Sequence, residues 1–201
     1  MNLEFAQLCY RLVESQTKAG GNTSHDEEWL EQVERTKEFV QSRDLERAEI
    51  TALKALELAE SFPPDDRRQG ISLEILTEIL FSKKKFALCA PFLMRLLEMY
   101  RRCLGPTHLD TGTIIHNIAM LYQEWGKLTD ADKFFLDAIR IKSQSLGKDH
   151  RDVVAMTTQY AQLRSEIETK TPSPKIIRKQ SKLTRTGQFS ALQVPDNEFT
   201  V

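Results

Sequence analysis

Cysteine is scarce in this chain: Cys9, Cys89 and Cys103 are the three in 201 residues. They are too few and too scattered for a disulfide framework or a zinc site. Beside apolar faces, they read as buried, inert thiols. Glycine (8) and proline (7) are also sparse, which excludes collagen-like and Gly/Pro-rich chains. No apolar run approaches the roughly 20 residues that a membrane-spanning helix needs. The opening stretch MNLEFAQLCYRLVE carries Glu4 and has no apolar h-region, so it does not read as a signal peptide. The formal net charge is only −1, so no global field draws the chain to nucleic acid or to an anionic membrane. The phosphate-binding, dinucleotide-binding, zinc-protease, redox and nucleophile-elbow motifs are missing as well. Together these absences lead us to expect a soluble, reduced, cytoplasmic protein with no membrane segment, catalytic centre, metal or cofactor.

The composition, 40% hydrophobic and 28% charged, suits a sizeable core under a solvated surface. Charge is unevenly placed. Residues 169–195 hold Lys170, Lys175, Arg178, Lys179, Lys182 and Arg185 and no acid. That stretch is rich in Pro, Ser and Thr, lacks a sustained period, and cannot bury enough surface to offset its ordering entropy. Residues 169–201 are therefore expected to form a disordered basic tail behind a mildly acidic body.

Within the body, apolar residues recur at helical spacing. Phe5, Leu8, Cys9, Leu12 and Val13 mark a first helix over 2–16, and residues 1–24 are expected to be that helix and a linker. Trp29, Val33, Thr36 and Val40 mark a second helix. Leu45, Ala48, Ala52, Ala55, Leu56 and Ala59 mark the next, and Leu73, Leu76, Ile79 and Leu80 the one after Pro63-Pro64. Phe86, Cys89, Leu93, Leu96, Leu97 and Tyr100 follow, then Ile114, Ile115, Ile118, Leu121 and Tyr122. Leu128, Ala131, Phe134, Phe135, Ala138 and Ile139 lead to a final set, Val153, Val154, Tyr160, Ala161 and Leu163. No stretch alternates with period two. The chain is all-α, and its short connections force sequential helices to pack antiparallel.

The helices also repeat. Leu104-Gly105-Pro106-Thr107-His108-Leu109-Asp110 returns 42 residues later as Leu146-Gly147-Lys148-Asp149-His150-Arg151-Asp152. The same offset carries Ile115 back to Leu73 and Phe134 back to Phe92, and a further step of 41 reaches Leu45 and Ala48. Two helices per fixed period describe a helical-hairpin solenoid.

Ile115, Ile118, Ala119, Tyr122, Gly126, Ala131, Phe135 and Ala138 resemble the tetratricopeptide repeat. The long period and the LG-x-x-H-x-D linker are similar to its kinesin-light-chain variant. The departures fall in residues 62–103, where Thr77, Lys84 and Cys89 stand for the usual Ala, Gly and Ala. The resemblance implies a right-handed superhelical array over residues 25–168, of about three hairpins and a closing helix. It also implies a concave groove, lined by the first helix of each repeat, that receives a segment of a protein partner. The groove positions it implies are Glu74, Ile75 and Glu78; Thr113, His116, Asn117, Met120 and Glu124; and Thr158, Gln159 and Gln162. Asn117 stands where an amide can pair with both N–H and C=O of an extended chain.

The remaining features are read one by one. His108 and His150 recur in the inter-repeat turn, so a repeated structural task at a helix end is expected. His25 is expected in solvent, and His116 as an exposed side chain or a groove contact. The basic tail offers an alternative function: a tether to nucleic acid or to an acidic protein surface. Arg178-x-x-Ser181 suits a basophilic kinase, and Glu198-Phe199-Thr200-Val201 suits addition to a sheet edge. Self-association is left open.

Overall fold

The computed structural model describes residues 23–170. The expected helix over 2–16, Cys9 and residues 171–201 of the expected basic tail lie outside the described residues; Thr169 and Lys170, expected in that tail, instead end the last helix. Seven helices follow one another: α1 (Thr23–Gln41), α2 (Leu45–Ala59), α3 (Arg67–Ser82), α4 (Phe86–Cys103), α5 (Leu109–Glu124), α6 (Leu128–Leu146) and α7 (Arg151–Lys170). No strand occurs among the described residues. Each helix packs against the next, which gives three hairpins (α1/α2, α3/α4, α5/α6) and a closing helix.

Local chemistry sets the ends of these helices. The Asp44 side chain accepts a hydrogen bond from Arg47 N–H at 3.1 Å and opens α2. Asp66 accepts from Arg68 N–H at 2.9 Å and opens α3. In the two linkers that share the LG-x-x-H-x-D pattern, histidine takes this part. His108 Nδ1 accepts from Asp110 N–H and His150 Nδ1 from Asp152 N–H, both at 3.2 Å. An imidazole nitrogen can accept only while unprotonated, so both caps need neutral rings. The repeated histidine is a helix-start residue, as its recurrence implied.

The turn inside each hairpin is built the same way three times. Its hinge residue is left-handed: Arg43 (φ 60°), Lys84 (φ 55°) and Gly126 (φ 79°). The N–H of the following residue reaches back to close the helix, from Asp44 to Phe39 O, from Lys85 to Leu80 O and from Lys127 to Tyr122 O, at 2.8–2.9 Å. Glycine adopts this conformation freely, whereas a side chain there crowds its own carbonyl. Lys84→Gly is therefore expected to raise stability by about 0.5–1 kcal/mol. The midpoint of urea unfolding checks this; a fall would mean that the lysine side chain's contacts outweigh the backbone strain.

Between helices, small residues set the spacing and large ones fill it. Ala119, Ala131, Ala138 and Phe135 are all fully buried. At Gly112 a β-carbon would stand 2.8 Å from Ile141 Cγ2, so only glycine lets α5 and α6 approach this closely. The second repeat's departures pack on each other: Cys89 and Thr77 are both buried, and the Cys89 thiol donates to Thr77 O at 3.3 Å. Burial pushes that thiol up to about 12, which leaves it inert. In the first repeat Trp29 is fully buried and its indole N–H donates to Ser72 Oγ at 2.9 Å, pinning α1 to α3. Lys83 joins Glu46 (2.7 Å) and Glu49 (2.5 Å), and Lys85 also reaches Glu49, which clips the α3/α4 turn onto α2. Burial works against the Glu49 carboxylate, but the hydrogen bonds from the two lysines hold it below its ordinary value.

Three sequence expectations are corrected here. Cys103 is exposed, because α4 ends there and no neighbour covers its last residue. Val154 and Ala161 are exposed too; α7 buries Val153, Met156 and Leu163 against α6. α7 is the last described helix and α6 is its described neighbour in sequence, so part of the apolar face of α7 has no described helix over it. Tyr122 is half-buried against the core and stacks on Phe134 and Trp125 with centroids 5.5 and 6.0 Å apart.

Candidate functional site

The predicted groove residues form a lattice because α3, α5 and α7 occupy equivalent places in successive repeats. At the 42-residue offset Glu74, His116 and Thr158 share one register position; Ile75, Asn117 and Gln159 share the next; Glu78, Met120 and Gln162 the third. On α5 the residues turned into the core are Ile114, Ile115, Ile118, Ala119 and Leu121. Thr113, His116, Asn117 and Met120 are half-buried, and Glu124 is exposed. On α7 Gln159 is half-buried and Gln162 exposed; on α3 Glu74, Ile75 and Glu78 are half-buried. Three parallel helices thus present one continuous, mostly polar face.

Two of the predicted residues meet directly. His116 Nε2 lies 3.1 Å from Gln159 Oε1, a bridge from α5 to α7. The His116 ring is not exposed: it packs edge-on against fully buried Phe135, centroids 5.5 Å apart, and Phe135 in turn touches Tyr160. Burial, reinforced by the nearby Lys142 ammonium and only partly offset by the Gln159 hydrogen bond, pulls His116 down to about 4. The ring is neutral at physiological pH. Since a neutral ring has one N–H, a bond to Gln159 oxygen places that N–H on Nε2 and leaves Nδ1 as an acceptor.

Lys142 is absent from the sequence expectations. Its stem packs where a Gly112 side chain would be. Burial lowers its amine, against the pull of Asp152 and Asp110. No pattern in the sequence marks it, since its counterpart 42 residues earlier is Tyr100. Tyr100 donates its hydroxyl to Glu74 Oε1, so the same register position reaches the same face by different chemistry.

Glu78 and Glu124 come together at the other end of the face. They line a cavity of about 250 Å³ with Phe81, Ser82, Lys84 and Phe86. Burial raises the Glu78 carboxyl above its ordinary value. Among the described residues no group of three or more His, Cys, Asp or Glu side chains could hold a metal ion, and no helix is long and apolar enough to cross a membrane.

Comparison with known proteins agrees with this fold. The sequence model of the tetratricopeptide repeat matches residues 68–144. No curated protein matches the chain. Among solved structures, kinesin-light-chain TPR-like repeats from Podosopora anserina superpose with a TM-score of 0.58 at 16% identity, covering 66% of this chain and 64% of that one. BtubC (BKLC) from P. vanneervenii gives 0.60 at 15% identity, covering 82% of this chain and 64% of that one. The N-terminal domain of stress-induced protein-1 from C. elegans gives 0.53 at 16%, covering 70% and 98%. The chain thus spans a little under two thirds of the first two. At these identities the likeness is one of fold: a right-handed superhelical array of antiparallel hairpins. Residues 68–144 thus carry tetratricopeptide repeats, and the helices on either side continue their register.

Proposed function

We propose that the chain is a non-catalytic adaptor that binds a segment of a protein partner along the face shared by α3, α5 and α7. Tetratricopeptide folds are typically protein-interaction scaffolds. The observation that carries the reading is the register lattice. Three helices place side chains at matched positions on one face: Glu74, Glu78, His116, Asn117 and Gln159 are half-buried, Thr158 and Gln162 are exposed, and Ile75 and Met120 also touch the core. Parallel helices with amides at a shared position, Asn117 and Gln159, present donors and acceptors to an extended chain laid across them. The His116–Gln159 bridge holds Gln159 in place before a partner arrives, which lowers the ordering cost of binding.

Asn117→Ala is expected to weaken partner binding about five- to tenfold, the worth of one or two hydrogen bonds, while changing stability by less than about 0.5 kcal/mol. The test is capture by the full chain carrying a photo-cross-linking residue at Met120, with a second version carrying it at Lys133 on the outer side of α6. Cross-links from Met120 that weaken with Asn117→Ala support the reading. Cross-links from position 133 alone, or capture indifferent to Asn117, refute it.

A further inference from the structure

The three turns inside the hairpins share one backbone but differ in how their aromatic rings are covered. In the first, the Arg47 guanidinium lies 4.7 Å from the centroid of the Phe39 ring. In the third, the Lys127 ammonium lies 3.4 Å from the Trp125 ring and 5.8 Å from Tyr122. In the second, Phe81 and Phe86 pack edge-on with centroids 5.8 Å apart. Among the described residues no cation lies over either of these rings. Leu88 stands at the register position that Arg47 fills one repeat earlier. These two rings instead help to line the 250 Å³ cavity, together with Glu78 and Glu124. Glu78 forms no ion pair or hydrogen bond with a described residue, although it is half-buried.

We propose that this cavity receives an arginine side chain of the protein partner. A guanidinium is flat, stacks on an aromatic face, and donates from its edge to carboxylates. The cavity offers both surfaces: rings on one side, and carboxylates from two successive repeats, Glu78 on α3 and Glu124 on α5. The first and third turns show the same chemistry satisfied within the chain. Lys84, also lining the cavity, opposes a second cation, so the space suits one arginine and not a basic run. The inference rests on the groove reading above, since the cavity lies at one end of that face, and it adds the chemistry of the partner.

The test uses the full chain and two small probes, N-acetyl-arginine methylamide and its citrulline counterpart, which has nearly the same shape without the charge. The expected result is saturable shifts of the Ser82 and Phe86 amide signals with the arginine probe, at least about tenfold weaker with citrulline. The shifts should vanish in the double variant Glu78→Gln, Glu124→Gln, whose thermal midpoint should stay that of the parent. Equal shifts from both probes, no shift at the solubility limit of the arginine probe, or binding undiminished in a folded double variant would overturn the proposal. Partner capture that depends on Asn117 but ignores the double variant would leave the groove reading standing and end this one. Arginine binding by a chain whose capture ignores Asn117 would support the cavity and end the groove reading.

Discussion

Phe135→Ala is expected to cost about 3–5 kcal/mol, a large part of the stability of a domain this size. Phe135 is fully buried where α5, α6 and α7 meet, against the His116 and Tyr160 rings. The surrounding helices cannot collapse onto the gap, because Ala119, Ala131 and Ala138 already hold them at close approach. The loss combines the ring's transfer from water with the cavity it leaves. Urea unfolding followed by circular dichroism measures it, and a change below about 1 kcal/mol would show that this site repacks freely. The same variant should release His116, whose ring would gain water and titrate closer to its ordinary value.

The second large effect is a loss of stability in acid. His116 titrates at about 4 in the folded chain, against an ordinary 6.5. Between these values the unfolded chain binds a proton that the folded chain refuses. Stability is therefore full above pH 6.5, falls as pH drops through this window, and has lost this contribution by about pH 4. A depression from 6.5 to about 4 corresponds to roughly 3 kcal/mol at most. The nearby Lys142 ammonium adds its repulsion of the imidazolium to the cost of burial. Carboxylates also titrate in acid, so the comparison is with His116→Gln. The stability advantage of the parent over that variant should shrink by up to about 3 kcal/mol from pH 6.5 to pH 4. An imidazole signal of His116 that titrates near 6.5 would contradict the burial.

Much of the architecture was legible from apolar spacing. The described helices α1 to α7 lie where the periodicity put them, because a helix must turn its apolar stripe toward something. The resemblance to the tetratricopeptide repeat, carried along the 42-residue offset, implied three matched groove positions on each of α3, α5 and α7, since equivalent helices in a stacked array share an orientation. It did not reveal which of those residues would meet in a hydrogen bond or line one cavity. His116 and Gln159 are 43 residues apart and Glu78 and Glu124 are 46 apart. The His116–Gln159 bond and the cavity shared by Glu78 and Glu124 both depend on how far the helices stand from one another. That distance is set at contacts such as Gly112 on Ile141, which no periodicity encodes.

The sequence alone determined the number of described helices, their direction, their period and the face each would bury, because these follow from short-range backbone geometry and from where apolar side chains fall around one helix. Only the tertiary structure decided how deeply each residue is covered. His116 became a desolvated neutral ring because Phe135 and Lys142 close over it. Cys103, at the end of α4, and Val154 and Ala161, on α7, are exposed because no described helix packs over them. Burial belongs to the pair of surfaces that meet, and a single helix carries the pattern of only one of them.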